Sequence, residues 1–158
     1  MIPWLALVGG CSYSFSGVAL QPDVETISVK QFTNEAQLIQ PVLAPNLTER
    51  VRDVFITQSR LKLQNDRAHL RLSGTVTDYT ISAVAVQGNE QAASSRLTVA
   101  IRVNFENTLY TSESWEQSFS AFIDFPRDAV LAQVEQQLLT DLVDRLAQDV
   151  FNKALSNW

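Results

Sequence analysis

Between Ser95 and Tyr110 the chain alternates without a break. Leu97, Val99, Ile101, Val103 and Phe105 fall on one parity, and Thr98, Arg102, Asn104 and Glu106 on the other. Apolar residues at period two share a face only in extended backbone, so this stretch reads as a strand with one face covered and one wet. The stretch from His69 to Val86 repeats the pattern with a defect. Leu70, Leu72 and Val76 share a face, with Gly74 between them, and the apolar phase then moves to Tyr79, Ile81 and Ala83. A slip of one residue turns every later side chain over, so a bulge is expected near Thr77 and Asp78. Gly88, Asn89 and Glu90 mark the turn between the two strands. A further strand is expected from about Ser114 to Phe122, with Trp115, Phe119 and Ala121 inward. An earlier one spans Val24 to Phe32, with Ile27 and Val29 on one face.

Two helical stripes supply the cover. Asn46 has the character of an N-cap, and Glu49 stands three residues on, at capping-box spacing. Leu47, Val51, Val54, Phe55 and Leu61 line one side, Arg50, Arg52 and Asp53 the other. Residues 33–45, with Pro41 and Pro45, read as a loop. Leu61 to Leu63 reads as a short extended piece, and Asn65-Asp66 as a turn. Pro126 should end the sheet. A second helix is expected from Asp128 to Leu155, with Leu131, Val134, Leu138, Leu142, Leu146, Val150 and Phe151 as its stripe. Glu135, Asp141, Asp144 and Asp149 take its polar side. The 158 residues suit one domain. The expected fold is α+β, a four-stranded, mostly antiparallel sheet with two helices packed on one face. The opposite face is then rich in Thr, Ser and Arg.

The first residues, Met1 to Gly10, form an apolar run ending in small side chains, the shape of a secretory signal. Val8-Gly9-Gly10-Cys11 resembles the bacterial lipobox. Small residues fit a peptidase cleft, and the Cys11 thiol can accept a diacylglyceryl group. Further acylation of the new amino group would add chains, at about 0.8 kcal/mol per buried methylene. The expected division is a signal peptide at 1–10, lipidated Cys11 and a tether at 11–22, and a single domain at 23–158. No Lys or Arg precedes the apolar run, which is read as a truncated or wrongly chosen start. The competing reading of Cys11 is a buried free thiol near a loose terminus; the polar Ser12, Tyr13 and Ser14 that follow favour the tether.

Cys11 is the single cysteine, so no internal disulfide is possible. The net charge of −5 repels nucleic acid. His69 is the one histidine; it lies within a β pattern and reads as a polar-face strand residue. No second His or spare Cys is available for a zinc site, and no glycine-rich phosphate loop precedes a helix. No cofactor, metal or catalytic set is therefore expected. Arg71, Arg96 and Arg102 lie on or near the two long strands. Alternation points Arg71 and Arg102 away from the helices, into solvent or toward an anion, since the guanidinium fork matches phosphate.

A family resemblance joins these pieces. Val29-Lys-Gln-Phe-Thr-Asn34 with Ala36, Leu47 to Phe55, Thr57 to Leu61, Leu72-Ser-Gly74 with Tyr79, Arg96 to Val99 with Val103, Phe105 and Asn107, and Asp149 to Asn152 with Asn157-Trp158 span nearly all of the chain. In order and spacing they resemble the LptE family, lipopolysaccharide-assembly lipoproteins, with local wording closest to Bacteroidetes members. The resemblance implies an outer-membrane, lipid-anchored protein on the periplasmic side and no catalysis. It would plug an LptD β-barrel, assist that barrel's assembly and help deliver lipopolysaccharide outward. Arg71, Arg96 and Arg102 become candidate lipopolysaccharide contacts on physical grounds alone. The hairpin at Gly88, Asn89 and Glu90 becomes the candidate barrel-docking element, because strands well beyond the usual five or so residues should project past the helices. The loop at 33–45 is the alternative docking face. A lipid-anchored accessory subunit of another envelope transporter, or a periplasmic hydrolase, would share the anchor and differ in partner.

Overall fold

A computed structural model describes residues 20–65, 67–84 and 94–155. Met1 to Gly10, Cys11, most of the tether, Asp66, the turn residues Gly88, Asn89 and Glu90, and Asn157-Trp158 lie outside the described residues.

The two alternating stretches form β4 (Leu70–Val84) and β5 (Ser94–Asn107), paired antiparallel. The expected register shift falls between Val76 and Asp78. It lets both Val76 and Tyr79 face inward, and both are buried. All five inward residues of β5, Leu97 to Phe105, are buried. β5 stops where the buried Asn107 turns its side chain onto the backbone. Its Oδ1 accepts from the N–H groups of Leu109 and Tyr110, and its Nδ2 donates to Glu113. A 3-10 turn at Thr111–Glu113 then leads into β6 (Trp115–Pro126). β6 runs further than the expected end at Phe122, because Ile123 and Phe125 keep the inward parity and pack on the core.

β1 (Thr26–Val29) lies on the other side of β4 and runs parallel to it. Two further strands, each of two residues, bring the sheet to six: β2 (Thr33–Asn34) beside β4, and β3 (Lys62–Leu63) beside β1. The expected four strands are thus the long members of a mixed sheet ordered β3-β1-β4-β5-β6. Phe32 makes the crossing from β1 to β2 close. Its ring lies where a Cβ on Gly74 would be, 2.2 Å from Cε1. Its N–H donates to the buried Thr48 Oγ1 at 2.9 Å.

α1 spans Leu43–Gln58 and α2 spans Leu131–Leu155. The start of α1 corrects the capping expectation at Asn46. The helix opens a turn earlier, with Val42 at its N-cap position and no side-chain cap. Burial of Leu43 and Ala44 outweighs the local signal. Pro45 sits in the first turn, where its missing N–H has no helical partner to lose. α2 likewise starts three residues after the expected Asp128, following a turn in which Ala129 N–H donates to Pro126 O.

The helices run parallel on one face of the sheet. Arg50 Nε meets Asp144 Oδ1 at 2.6 Å, Gln58 Nε2 meets Gln148 Oε1 at 3.0 Å, and the rings of Phe55 and Phe151 pack edge to face at 5.2 Å. One core of side chains from both helices and the inner sheet face holds the layers together. No helix among the described residues is long and apolar enough to cross a membrane, which says nothing about strands.

Candidate functional site

With both helices on the inner face, the outer face of the sheet is left open. The parallel pairing of β1 with β4 sets Ser28 beside Arg71, and the antiparallel pairing of β4 with β5 sets Arg71 beside Glu106 and Thr75 beside Arg102. Two adjoining hollows result. One is lined by Lys30, Arg67, Arg71 and Glu106, the other by Thr75, Arg102 and Glu116. Lys30, Ser73 and Asn104 line both, so the two form a single groove along the sheet.

The groove holds four cations, Lys30, Arg67, Arg71 and Arg102, and two carboxylates, Glu106 and Glu116, a local balance of 4 − 2 = +2. The whole chain carries −5. The ion pairs here are loose. Arg71 reaches Glu106 at 3.5 Å and Arg102 reaches Glu116 at 4.0 Å, all four side chains about half exposed. Pairs of this kind contribute about 0–1 kcal/mol, so an incoming anion can exchange with the carboxylates at small cost. Ser28, Ser73, Thr75 and Asn104 add hydroxyl and amide groups around the cations.

The structure brings Arg71 and Arg102 together on this face, as alternation requires. Arg96 stands apart. It lies six residues from Arg102 along β5, roughly 20 Å at strand rise. Its Nε and Nη2 bond Asp124 at 2.7 and 2.9 Å, and its guanidinium stacks 3.8 Å above the Phe122 ring. The bond from Arg96 holds the Asp124 carboxyl below its ordinary range. Sequence reasoning missed Lys30 and Arg67. Parity alone places Lys30 with Ser28, opposite Ile27 and Val29. Arg67 has no such signal: it sits at φ 55 in the turn before β4, and only the fold carries it to the groove.

His69 serves the backbone instead of presenting a polar strand face. It precedes β4, its Nδ1 accepts from Glu25 N–H at 3.1 Å, and its N–H donates to Thr26 Oγ1. On the inner face, Tyr79 donates its hydroxyl to Glu135 Oε1 at 2.5 Å, and Gln40 Nε2 donates to the same oxygen at 2.9 Å. This ties β4, the N-terminal part of α2 and the loop before α1. Burial first, then the Glu135 bond, raises the Tyr79 pKa above its ordinary value. The loop exposes Leu38, Ile39 and Val42. Among the described residues no group of three or more metal-ligating side chains comes together.

A family model described as LptE, lipopolysaccharide-assembly, matches residues 24–154. Several solved structures share the fold at low identity. A minor lipoprotein from Acinetobacter baumannii superposes with a TM-score of 0.56 at 17% identity, over 85% of this chain and 94% of that one. The protein CT253 from Chlamydia trachomatis gives 0.52 at 8% identity, over 84% and 99%. No curated protein matches the sequence.

Proposed function

The chain belongs to the LptE family of lipopolysaccharide-assembly proteins, and from that membership we propose that it docks in an LptD-like β-barrel and offers its open sheet face to lipopolysaccharide in transit. The family is one of non-enzymatic outer-membrane proteins, so the working parts are surfaces. The observation that carries the proposal is the groove of Lys30, Arg67, Arg71 and Arg102, locally positive on an acidic molecule. Lipopolysaccharide presents phosphates and sugar hydroxyls. Guanidinium forks suit the first, and the Ser, Thr and Asn side chains between them suit the second. Loosely paired cations favour handing a ligand on over holding it.

Lipidation at Cys11 completes the reading, supported by the Val8-Gly9-Gly10-Cys11 sequence. The described chain begins at Leu20, whose carbonyl accepts from Arg60 Nη2, as does that of Gln21. This is the end of the molecule where β1 and β4 start and both helices finish. Nine residue steps separate Cys11 from Leu20, a reach of at most about 30 Å. A lipid on Cys11 therefore holds this pole near the bilayer and leaves the opposite pole, with the loop at 35–42 and the far ends of β4 and β5, to reach into a partner.

The test is binding of purified lipopolysaccharide to the domain and its Arg71→Glu/Arg102→Glu variant, with barrel recovery from cells measured in parallel. The expected result is a loss of roughly tenfold or more in lipid binding, a weaker salt dependence and unchanged barrel recovery. Equal lipid binding by both proteins would remove the groove from the mechanism.

A further inference from the structure

β6 ends the sheet, and its outer backbone edge is open. The alternation of hydrogen bonds follows from a single contact. Thr108 N–H donates to His69 O at 2.9 Å, so even-numbered residues of β5 direct their backbone groups to β4. The odd-numbered residues, Leu97 to Phe105, therefore direct theirs to β6, where their partners are also odd, Trp115 to Ile123. The N–H and C=O groups of Glu116, Ser118, Ser120, Phe122 and Asp124 are left facing outward. An independent contact agrees: Arg145 Nη1, from α2, donates to Phe122 O at 3.1 Å. Ala129 N–H closes the far end of the edge by donating to Pro126 O, and among the described residues no other backbone contact reaches Glu116 to Asp124 from outside.

Proteins blunt such edges with lysines, internal prolines, bulges or short strands. β6 uses none of these. Its 12 residues contain no Lys or Arg, and its proline is the last residue. Its register with β5 is unbroken from Trp115 to Pro126. All five edge residues are exposed. Glu116, Asp124 and the bond from Arg145 guard this edge only in part, and an edge of this length still offers main-chain hydrogen bonds to another extended chain.

Resting on the barrel reading above, we propose that an extended segment of the partner barrel protein adds to β6 as a further strand. Charge selects this occupant over a second copy. Glu116 and Asp124 are the charged residues of β6 and flank Ser118, Ser120 and Phe122. Asp124 is held by Arg96, but Glu116 is only loosely paired with Arg102 and the whole chain carries −5, so a second copy brings like charge to an edge that is already acidic. A foreign segment with Lys, Arg or hydroxyl side chains at those places meets no such penalty.

The experiment is recovery of the barrel from cells through a C-terminal tag on the full chain, with Ser120→Ala, Ser120→Pro and Ser120→Lys compared with wild type, and the oligomeric state of each purified domain measured. The Ser120 N–H faces outward, so proline there costs no bond to β5. Should Ser120→Pro fail to fold, Ser120→Lys carries the test, because it leaves the backbone intact and adds the side chain that natural sheet edges use against strand addition. Wild type and Ser120→Ala should recover barrel equally, and the Pro and Lys variants about tenfold less, with thermal midpoints near wild type. Barrel recovered equally by wild type and all three variants overturns the edge proposal and leaves the barrel reading standing. No barrel recovered by wild type overturns both. A wild-type dimer that Ser120→Pro dissociates makes a second copy the occupant and overturns the proposal.

Discussion

Gly74 and Phe32 show how closely single residues set this fold. Gly74 sits on a strand, where glycine ordinarily weakens structure, and the Phe32 ring fills the space a side chain would need. Gly74→Ala should lower stability by about 1–3 kcal/mol, as overpacking does, and adding Phe32→Leu should restore part of the loss. Denaturant midpoints of the two single variants and the double variant check this; additive losses would show that the two sites do not touch. Thr48 is the second such position. Its Oγ1 accepts from Phe32 N–H and donates to Ala44 O at 2.7 Å. Thr48→Val keeps the shape and strands a buried N–H, a cost of about 1–3 kcal/mol. Tyr79 gives a pH signature. Its pKa is raised on folding above an ordinary value of 10.0, by burial and by its bond to Glu135. The associated stability is therefore complete below pH 10 and is lost as pH rises above it. Between pH 9 and 11 wild type should lose more stability than Tyr79→Phe, as urea titrations at each pH would show; parallel curves would place the phenol in water in the folded state.

At the scale of elements, periodicity was legible and long-range pairing was not. The inward parity of Leu97 to Phe105 and the bulge beside Asp78 could be read because each is written within one strand. The helical stripe through Leu138, Leu142 and Leu146 could be read for the same reason, and all three are buried. Leu138→Asp should abolish cooperative unfolding, since an unpaired buried charge costs several kcal/mol against a total of about 5–15; a melt like the parent's would contradict that placement. The start of α1 was misread because the Asn46 signal is local, whereas burial of Leu43 and Ala44 is decided by the sheet below. β2 and β3 were too short to carry a period. The groove was half legible. Parity gave Arg71 and Arg102 their common face, but only the parallel pairing of β1 with β4 brings Lys30 beside them, and only the turn before β4 brings Arg67. Arg96 shares that parity too, and what sets it apart is its bond to Asp124, on a strand 28 residues away in sequence.

The whole molecule is polar in a useful sense. One pole gathers the start of the described chain at Leu20 and the ends of both helices, and the other gathers both helix starts and the loop exposing Leu38 and Ile39. Between them lies a two-faced layer, with one side sealed by helices and the other a wet sheet carrying a cationic groove. Under the proposed anchoring at one end and docking at the other, the sheet face stays open to a passing lipid. The most direct measurement is photo-crosslinking in cells. A photoreactive side chain at Asn104, on the groove floor, is compared with one at Gln136, on the exposed side of α2. The account predicts a lipopolysaccharide adduct at Asn104 and none at Gln136, with the Asn104 adduct lost in the Arg71→Glu/Arg102→Glu background. Adducts of equal yield at both positions, or at Gln136 alone, would contradict it.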